Sequence, residues 1–161
     1  GFQNAVNDVQ YKSVDFALAG NIWESDEYGS FRFRGDATKY LTFETESQFG
    51  SGILGDAVDT LGFPEWRTNA LVSWTMGNWA ANISTSYIGE SESGSGEVQW
   101  DSWKEHNLNV SYDFSEYGEL TVGANNLTNE DPLLDASGSQ ADEYQYPILG
   151  RVVYVDYTIE L

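Results

Sequence analysis

Apolar and polar residues alternate along most of this chain with a period of two. Successive side chains of a strand point to opposite faces, so this alternation predicts strands with one apolar and one polar surface. Val14, Phe16, Leu18 and Ile22 share a parity opposite Asp15 and Asn21. Phe31, Phe33, Ala37, Leu41 and Phe43 oppose Arg32, Arg34, Asp36, Thr38, Thr42 and Glu44. Trp66, Ala70, Val72, Trp74 and Met76 oppose Arg67, Asn69, Ser73 and Thr75; Trp79, Ala81, Ile83 and Tyr87 oppose Asn82, Ser84 and Ser86. Leu108, Val110, Tyr112 and Phe114 oppose Asn107, Asn109, Ser111 and Asp113; Leu120, Val122 and Ala124 oppose Thr121, Gly123 and Asn125. The last run sets Val153, Val155, Tyr157, Ile159 and Leu161 against Val152, Tyr154, Asp156, Thr158 and Glu160. These are seven strands, the second running from Ser30 to about Phe49. No window repeats apolar residues at i, i+3, i+4 and i+7 for three turns, so no helix is predicted.

The connections alternate short and long. Ser25–Gly29, Gly77-Asn78 and Ser115–Gly118 are short; Gly50–Phe63, Ser91–Gln99 and Asn129–Tyr146 are long. Gly77-Asn78 reads as a two-residue hairpin turn, since Gly and Asn tolerate positive φ. Short turns at one end and long polar loops at the other are the pattern of a transmembrane barrel, in which a tilted strand needs about 9–11 residues to cross the bilayer. A soluble antiparallel sandwich also alternates, but has no reason to sort its loops by length. Trp66, Trp74, Trp79, Tyr87, Trp103 and Tyr157 are read as sharing the apolar parity near strand ends, where amphipathic rings form interfacial girdles.

Composition sharpens this picture. Aromatics make up 15% of the 161 residues, which suits girdles. No apolar run approaches the length of a membrane helix. The start, Gly1-Phe2-Gln3-Asn4, carries no secretory leader, so a leader was removed or the chain belongs to something longer. The absence of Cys excludes disulfides and thiolate metal sites. With 7 basic and 26 acidic residues the net charge is −19, which argues against nucleic acid as a partner.

Several segments, taken in order, carry a family resemblance. Phe63-Pro64-Glu65-Trp66-Arg67-Thr68-Asn69, then Trp74, Gly77-Asn78-Trp79 and Tyr87-Ile88-Gly89, resemble the P-x-W-R-x-N, W-x-x-G-x-W and Y-x-G series of TonB-dependent outer-membrane receptors. Leu120–Pro132 resembles that family's L-x-x-G-x-x-N-L strand and loop, and Gly150-Arg151 through Leu161 its closing strand. Val9–Asp15 and Gly29–Leu41 fit more loosely as the strands before these. The resemblance implies a large plugged barrel and makes this chain, residues 1–161, an all-β antiparallel meander that forms its last seven, C-terminal strands. It implies long loops outside the cell, short turns in the periplasm, and uptake of a scarce nutrient of the siderophore, cobalamin or glycan class. The plug and the box that couples to TonB are not in this sequence. Leu161 stands where the family usually ends in an aromatic residue.

Candidate chemistry is sparse. His106, the single His, is placed by parity on the apolar face near Trp103, and one His makes no metal site. Glu90, Glu92, Glu97, Asp101 and Glu105 cluster around one long loop; Glu130, Asp131, Asp135, Asp142 and Glu143 lie in another. Their oxygens suit Ca²⁺, but no spacing matches a cation loop, so solvated acidity is the preferred reading. Arg32, Arg34, Asp36, Glu44, Arg67, Asn107, Asn109 and Asp113 have the polar parity of a lumen and would hydrate it and contact a plug. Asn82-Ile83-Ser84, Asn109-Val110-Ser111 and Asn126-Leu127-Thr128 match a glycosylation pattern by chance, each within a predicted strand. No nucleophile triad, phosphate loop or zinc motif is present, so no catalytic, cofactor or metal residue is assigned.

Seven antiparallel strands leave two free edges, whereas single-chain bacterial barrels use an even count. Unpaired backbone groups are costly in lipid and a template for further strands in water. The expected partners are therefore outer-membrane lipid together with the remaining strands and plug of a parent receptor, or further copies of the chain. The expected location is the bacterial outer membrane, or outside the cell as a self-associated structural assembly. A soluble glycan-binding β sandwich is a third, weaker reading.

Overall fold

The computed structural model describes residues 9–46, 54–60, 63–92, 98–134, 146–147 and 149–159. The protein is all-β, an antiparallel meander of about seven strands. The strands are β1 (Val9–Ser25), β2 (Gly29–Glu46), β3 (Leu54–Asp56), β4 (Trp66–Met76), β5 (Trp79–Ile88), β6 (Ser91–Glu92), β7 (Gln99–Trp100), β8 (Trp103–Asp113), β9 (Glu119–Asn125) and β10 (Val152–Thr158). The expected extension of β2 to Phe49 runs past Glu46 into residues outside those described. The sole helical element among the described residues is a 3₁₀ turn at Ser115–Tyr117.

The main sheet has the order β1-β2-β4-β5-β8-β9-β10, so each long strand lies beside its neighbour in sequence. β3 pairs with Glu44–Glu46 of β2. β1 already holds the other edge of β2 there, so β3 continues the line of β4. β6 and β7 form a separate small hairpin within the β5–β8 loop. The sheet is not closed as a barrel. Among the described residues no strand pairs with the outer edge of β1 or of β10.

The loop sorting expected from the sequence is present. Three tight turns, at Asp26–Tyr28, Gly77-Asn78 and Phe114–Gly118, lie at one end, and the three long connections at the other. Gly29 has φ +78°, and a Cβ there would meet the Thr75 carbonyl, so only glycine fits. Gly77 takes φ +56° in the hairpin, whereas Asn78 does not adopt positive φ. Asn78 instead stitches neighbouring turns together. Its Nδ2 donates to the Asp113 carbonyl at 2.9 Å, and its own carbonyl accepts the Asp113 N–H at 2.9 Å.

Pairing across the ladders sorts the side chains into rows. One row crosses all seven strands as Trp23–Phe31–Trp74–Ala81–Val110–Val122–Val155. The next is Gly20–Phe33–Val72–Ile83–Leu108–Ala124–Val153. On the opposite face Asn21–Arg32–Ser73–Asn82–Asn109–Gly123–Tyr154 run in register.

Two irregularities in the β1–β2 ladder overturn part of the expected parity. Ile22 is an extra residue in β1, so Trp23, not Ile22, pairs with Phe31. Leu41 is an extra residue in β2, between the pairs Ser13↔Tyr40 and Lys12↔Thr42. One inserted residue swaps every following side chain to the other face. By the alternation of β1, Tyr11 shares a face with Ser13 and Asp15, and its partner Phe43 goes with it. Phe43 thus leaves the apolar set to stack on Phe63, ring centroids 4.0 Å apart. Glu44, paired with Gln10, leaves the polar set by the same shift.

Among the described residues there is no central core. The buried residues Ile88, Trp100, Trp103, Tyr146, Pro64, Ser91 and Asn126 gather at the long-loop end. The apolar side of the sheet is uncovered: Leu18, Val153 and Val155 are more than two-thirds exposed. No second sheet packs on it among the described residues.

Candidate functional site: two faces, two edges and a loop-end basin

The apolar face is a band with defined height. Along β4 it extends from Met76 to Trp66. At about 3.3 Å per residue this is roughly 33 Å of strand. Tilted by about 45°, it spans roughly 23 Å of height, close to the apolar belt of an outer-membrane barrel. Aromatic rings sit at both limits. Trp79, Tyr112 and Phe114 form a contiguous edge-to-face group near the short turns, with successive centroids 4.7 Å apart. Tyr157 stands in the same row. Trp66, Tyr87 and Phe16 stand near the long loops, with Phe16 stacked on Trp66 at 6.3 Å.

Two cations on this face lie at that second limit, each over an aromatic ring. Lys39 Nζ is 5.2 Å from the Trp66 ring and 2.8 Å from Glu65 Oε1. Lys104 Nζ is 5.8 Å from the Tyr87 ring. Long basic side chains can lay their stems on apolar surface and hold the charge at its margin. No charged residue occupies the two rows through Val110 and Leu108.

The girdle expected from the sequence is corrected at Trp103. Trp74 lies one row inside the margin, and its Nε1 donates to the Tyr28 carbonyl at 2.7 Å. Trp103 pairs with Ile88 in the row of Arg67 and Thr38, on the polar face. It is 2% exposed and packs edge-on against Tyr146 at 5.6 Å. His106 does share the face of Leu108 and Val110, so it is not beside Trp103. Its Nδ1 lies 2.8 Å from Thr85 Oγ1, its cross-strand neighbour.

The polar face is held together by side-chain hydrogen bonds between strands. Thr38 Oγ1 donates to Asp15 Oδ1 at 2.6 Å, Asn69 Nδ2 to Asp36 Oδ2 at 3.0 Å, and Ser86 Oγ to Asn69 Oδ1 at 3.1 Å. Asn82 Nδ2 donates to Asn109 Oδ1 at 3.0 Å, and the Ser111 and Thr121 hydroxyls are 2.7 Å apart. Of the residues given lumen parity, Arg32, Arg34, Asp36, Arg67, Asn107 and Asn109 lie on this face. Asp113 shares it at the turn, where its Oδ1 accepts the Ser115 N–H at 2.7 Å. The chance glycosylation matches fall on engaged amides: Asn82 and Asn109 bind each other, and Asn126 is 2% exposed.

Sequence reasoning missed the loop-end cap. Asn126 takes φ +51° directly after β9, and its side chain clamps Glu130. Nδ2 donates to the Glu130 carbonyl and Oδ1 accepts the Glu130 N–H, each at 2.7 Å. Its own N–H donates to Asn107 Oδ1 at 2.8 Å. Ile88, Trp103 and Tyr146 pack together with Leu133, joining the β5–β8 and β9–β10 connections. Trp100 Nε1 donates to the Leu134 carbonyl at 2.5 Å. The Trp103 indole N–H and the Ser91 hydroxyl are buried with no hydrogen-bond partner among the described residues. The signal available in the sequence was Trp103 itself, whose odd number matches Glu105 and Asn107 rather than Leu108.

The acidic residues divide between separate places. Glu90, Glu92 and Asp101 line an open basin of about 410 Å³ with Asp59, Ser91, Gln99 and Trp100. Glu105 lines a smaller recess of about 250 Å³ with Arg67, Asn69, Ser86, Trp103 and Pro147. Glu130 and Asp131 follow the Asn126 clamp, while Glu97, Asp135, Asp142 and Glu143 lie outside the described residues. Among the described residues no three His, Asp or Glu side chains converge on a point a metal could occupy. No helix of the described residues is long and apolar enough to cross a membrane. Comparisons with protein-family models, curated proteins and solved structures gave no match to this chain.

Proposed function

We propose that this chain is the C-terminal barrel segment of a TonB-dependent outer-membrane receptor that takes up a scarce nutrient. The single observation that carries the reading is the two-faced sheet. One face is an uncovered apolar band of bilayer height, rimmed by rings and lysines; the other is a hydrogen-bonded polar surface. A soluble sheet buries its apolar face, whereas a barrel strand turns it to lipid and its polar face to the lumen. The sorted loops agree, with the acidic basin at the long-loop end facing outward and the tight turns facing the periplasm. The remaining strands and the plug of the parent receptor would cover both edges and the polar face. This reading assigns no chemical step to any residue.

The reading is tested by depth-dependent quenching. Variants retaining Trp74, Trp79 or Trp103 as the single tryptophan are reconstituted with brominated phosphatidylcholine. Trp74 and Trp79 should be quenched strongly, and Trp103 weakly. Equal quenching of all three, or none of Trp74, would overturn the assignment of faces to lipid and lumen.

The edges of β1 and β10, unpaired among the described residues, favour a second reading, in which the free chain self-associates into an extracellular structural assembly. Regular polymers formed in detergent-free buffer would support it, and a stable monomer there would sink it.

A further inference from the structure

The direction of the strands constrains how copies of this chain can meet. Seven strands alternate in direction, so β1 and β10, first and last in the sheet, run the same way. Two copies placed side by side in one orientation would therefore join β1 to β10 as parallel neighbours, unlike every ladder in the sheet. Antiparallel pairing, the slightly more stable kind per residue, joins like edge to like edge about a two-fold axis. With that axis perpendicular to the sheet, the apolar faces of both copies stay on the same side.

β1 is the longer of the two edges left unpaired among the described residues, 17 residues against 7, and nearly all of it is exposed. Its central stretch is self-complementary about Leu18. Antiparallel pairing centred there sets Leu18 against its copy, Phe16 against Gly20, Ala17 against Ala19 and Asp15 against Asn21. No like charges face each other, and the Phe16 ring covers the gap left by Gly20, a pairing that stabilises glycine in sheets. The register ends naturally at Asn21, where the extra residue Ile22 interrupts the strand. We infer that the free chain dimerises through β1, two-fold about Leu18, making one continuous sheet from two copies.

This deepens the self-association reading and is separable from the receptor reading. The two-fold axis sends the long loops of the two copies to opposite ends, so the dimer cannot form between copies inserted in a membrane in one direction. The chain has no Cys, so single-Cys variants report cleanly. Leu18→Cys, Val155→Cys and Ile83→Cys are refolded in detergent-free buffer and oxidised mildly. Directly opposed positions of an antiparallel pair lie within disulfide reach. L18C should form covalent dimers, and V155C and I83C should not exceed one another. Dominant V155C dimers, a mixed L18C–V155C product, or no dimer in any variant would overturn the proposal.

The second variant, Leu18→Lys, sets two like charges directly opposite at the axis. Leu18 is 69% exposed and faces Gly35 within its own sheet, so the single chain should fold unchanged. The dimer dissociation constant by sedimentation should rise roughly tenfold or more. An unchanged constant would overturn the proposal. Membrane quenching is measured on separate samples in vesicles, so either result can fail without the other.

Discussion

Ile83→Arg is the sharpest perturbation of the proposed lipid face. Ile83 lies in the row Phe33–Val72–Ile83–Leu108, two rows from Trp79 at one margin and two from Tyr87 at the other. Each row step is two residues, about 7 Å along a strand and roughly 5 Å of depth at a 45° tilt. Ile83 is therefore about 10 Å from either girdle, near the midplane. Arginine there costs about 2–4 kcal/mol in a bilayer, falling to about 0–1 at the interface. The equilibrium constant for unfolding from vesicles should then rise by roughly 30-fold to 900-fold. In water the same side chain is 43% exposed, and an exposed substitution shifts stability by only about 0.5 kcal/mol. Two controls fix the sign. Ser84→Arg points to the polar face, and Trp79→Arg lies at the margin, so each should cost less than I83R. The assay is urea unfolding followed by tryptophan emission, in phosphatidylcholine vesicles and in detergent-free buffer. Equal costs for I83R and S84R in vesicles, or for I83R in vesicles and buffer, would refute the argument.

Three further outcomes concern the fold itself. Trp103→Ala should destabilise the protein by about 3–5 kcal/mol in thermal unfolding, since it empties the cap beneath Tyr146, whereas Trp103→Phe should cost much less because it also removes an unpaired buried N–H. Gly29→Ala should cost more than 1 kcal/mol by denaturant titration, because the backbone there has positive φ and the new Cβ meets the Thr75 carbonyl; the same change at Gly20, with open space around it, is the control. Asn126→Ala should cost about 1–3 kcal/mol and raise amide exchange at Glu130, whose N–H loses its acceptor.

Much of the sheet was legible from alternation alone. For β4, β5, β9 and β10 the residues given apolar parity share one face of the sheet along their whole described length, because those strands pair without irregularity. The failures have one cause at β1 and β2. An extra residue at Ile22 or Leu41 leaves composition unchanged yet swaps faces, so Phe43, placed with the apolar set by parity, lies on the other face and stacks on Phe63. Trp103 failed differently: its aromatic character suggested a girdle, but its parity already placed it with Glu105 and Asn107. The loop-end cap was not legible, because Tyr146 reaches Trp103 from a distant segment without periodicity.

The unequal connections also set an order of assembly. Closing a loop costs conformational entropy that grows with the logarithm of its length. The β4–β5 hairpin closes over two residues, whereas β10 reaches β9 only across 126–151, a difference of roughly 2 kcal/mol for a flexible chain. β4 and β5 should therefore zip within microseconds of collapse, and β10 should arrive last. Its ladder to β9 is also short, and its outer edge is unpaired among the described residues. The strand that ends the chain is thus the seam at which the sheet begins to fray, and the one most exposed to exchange with a foreign strand while the rest is already built.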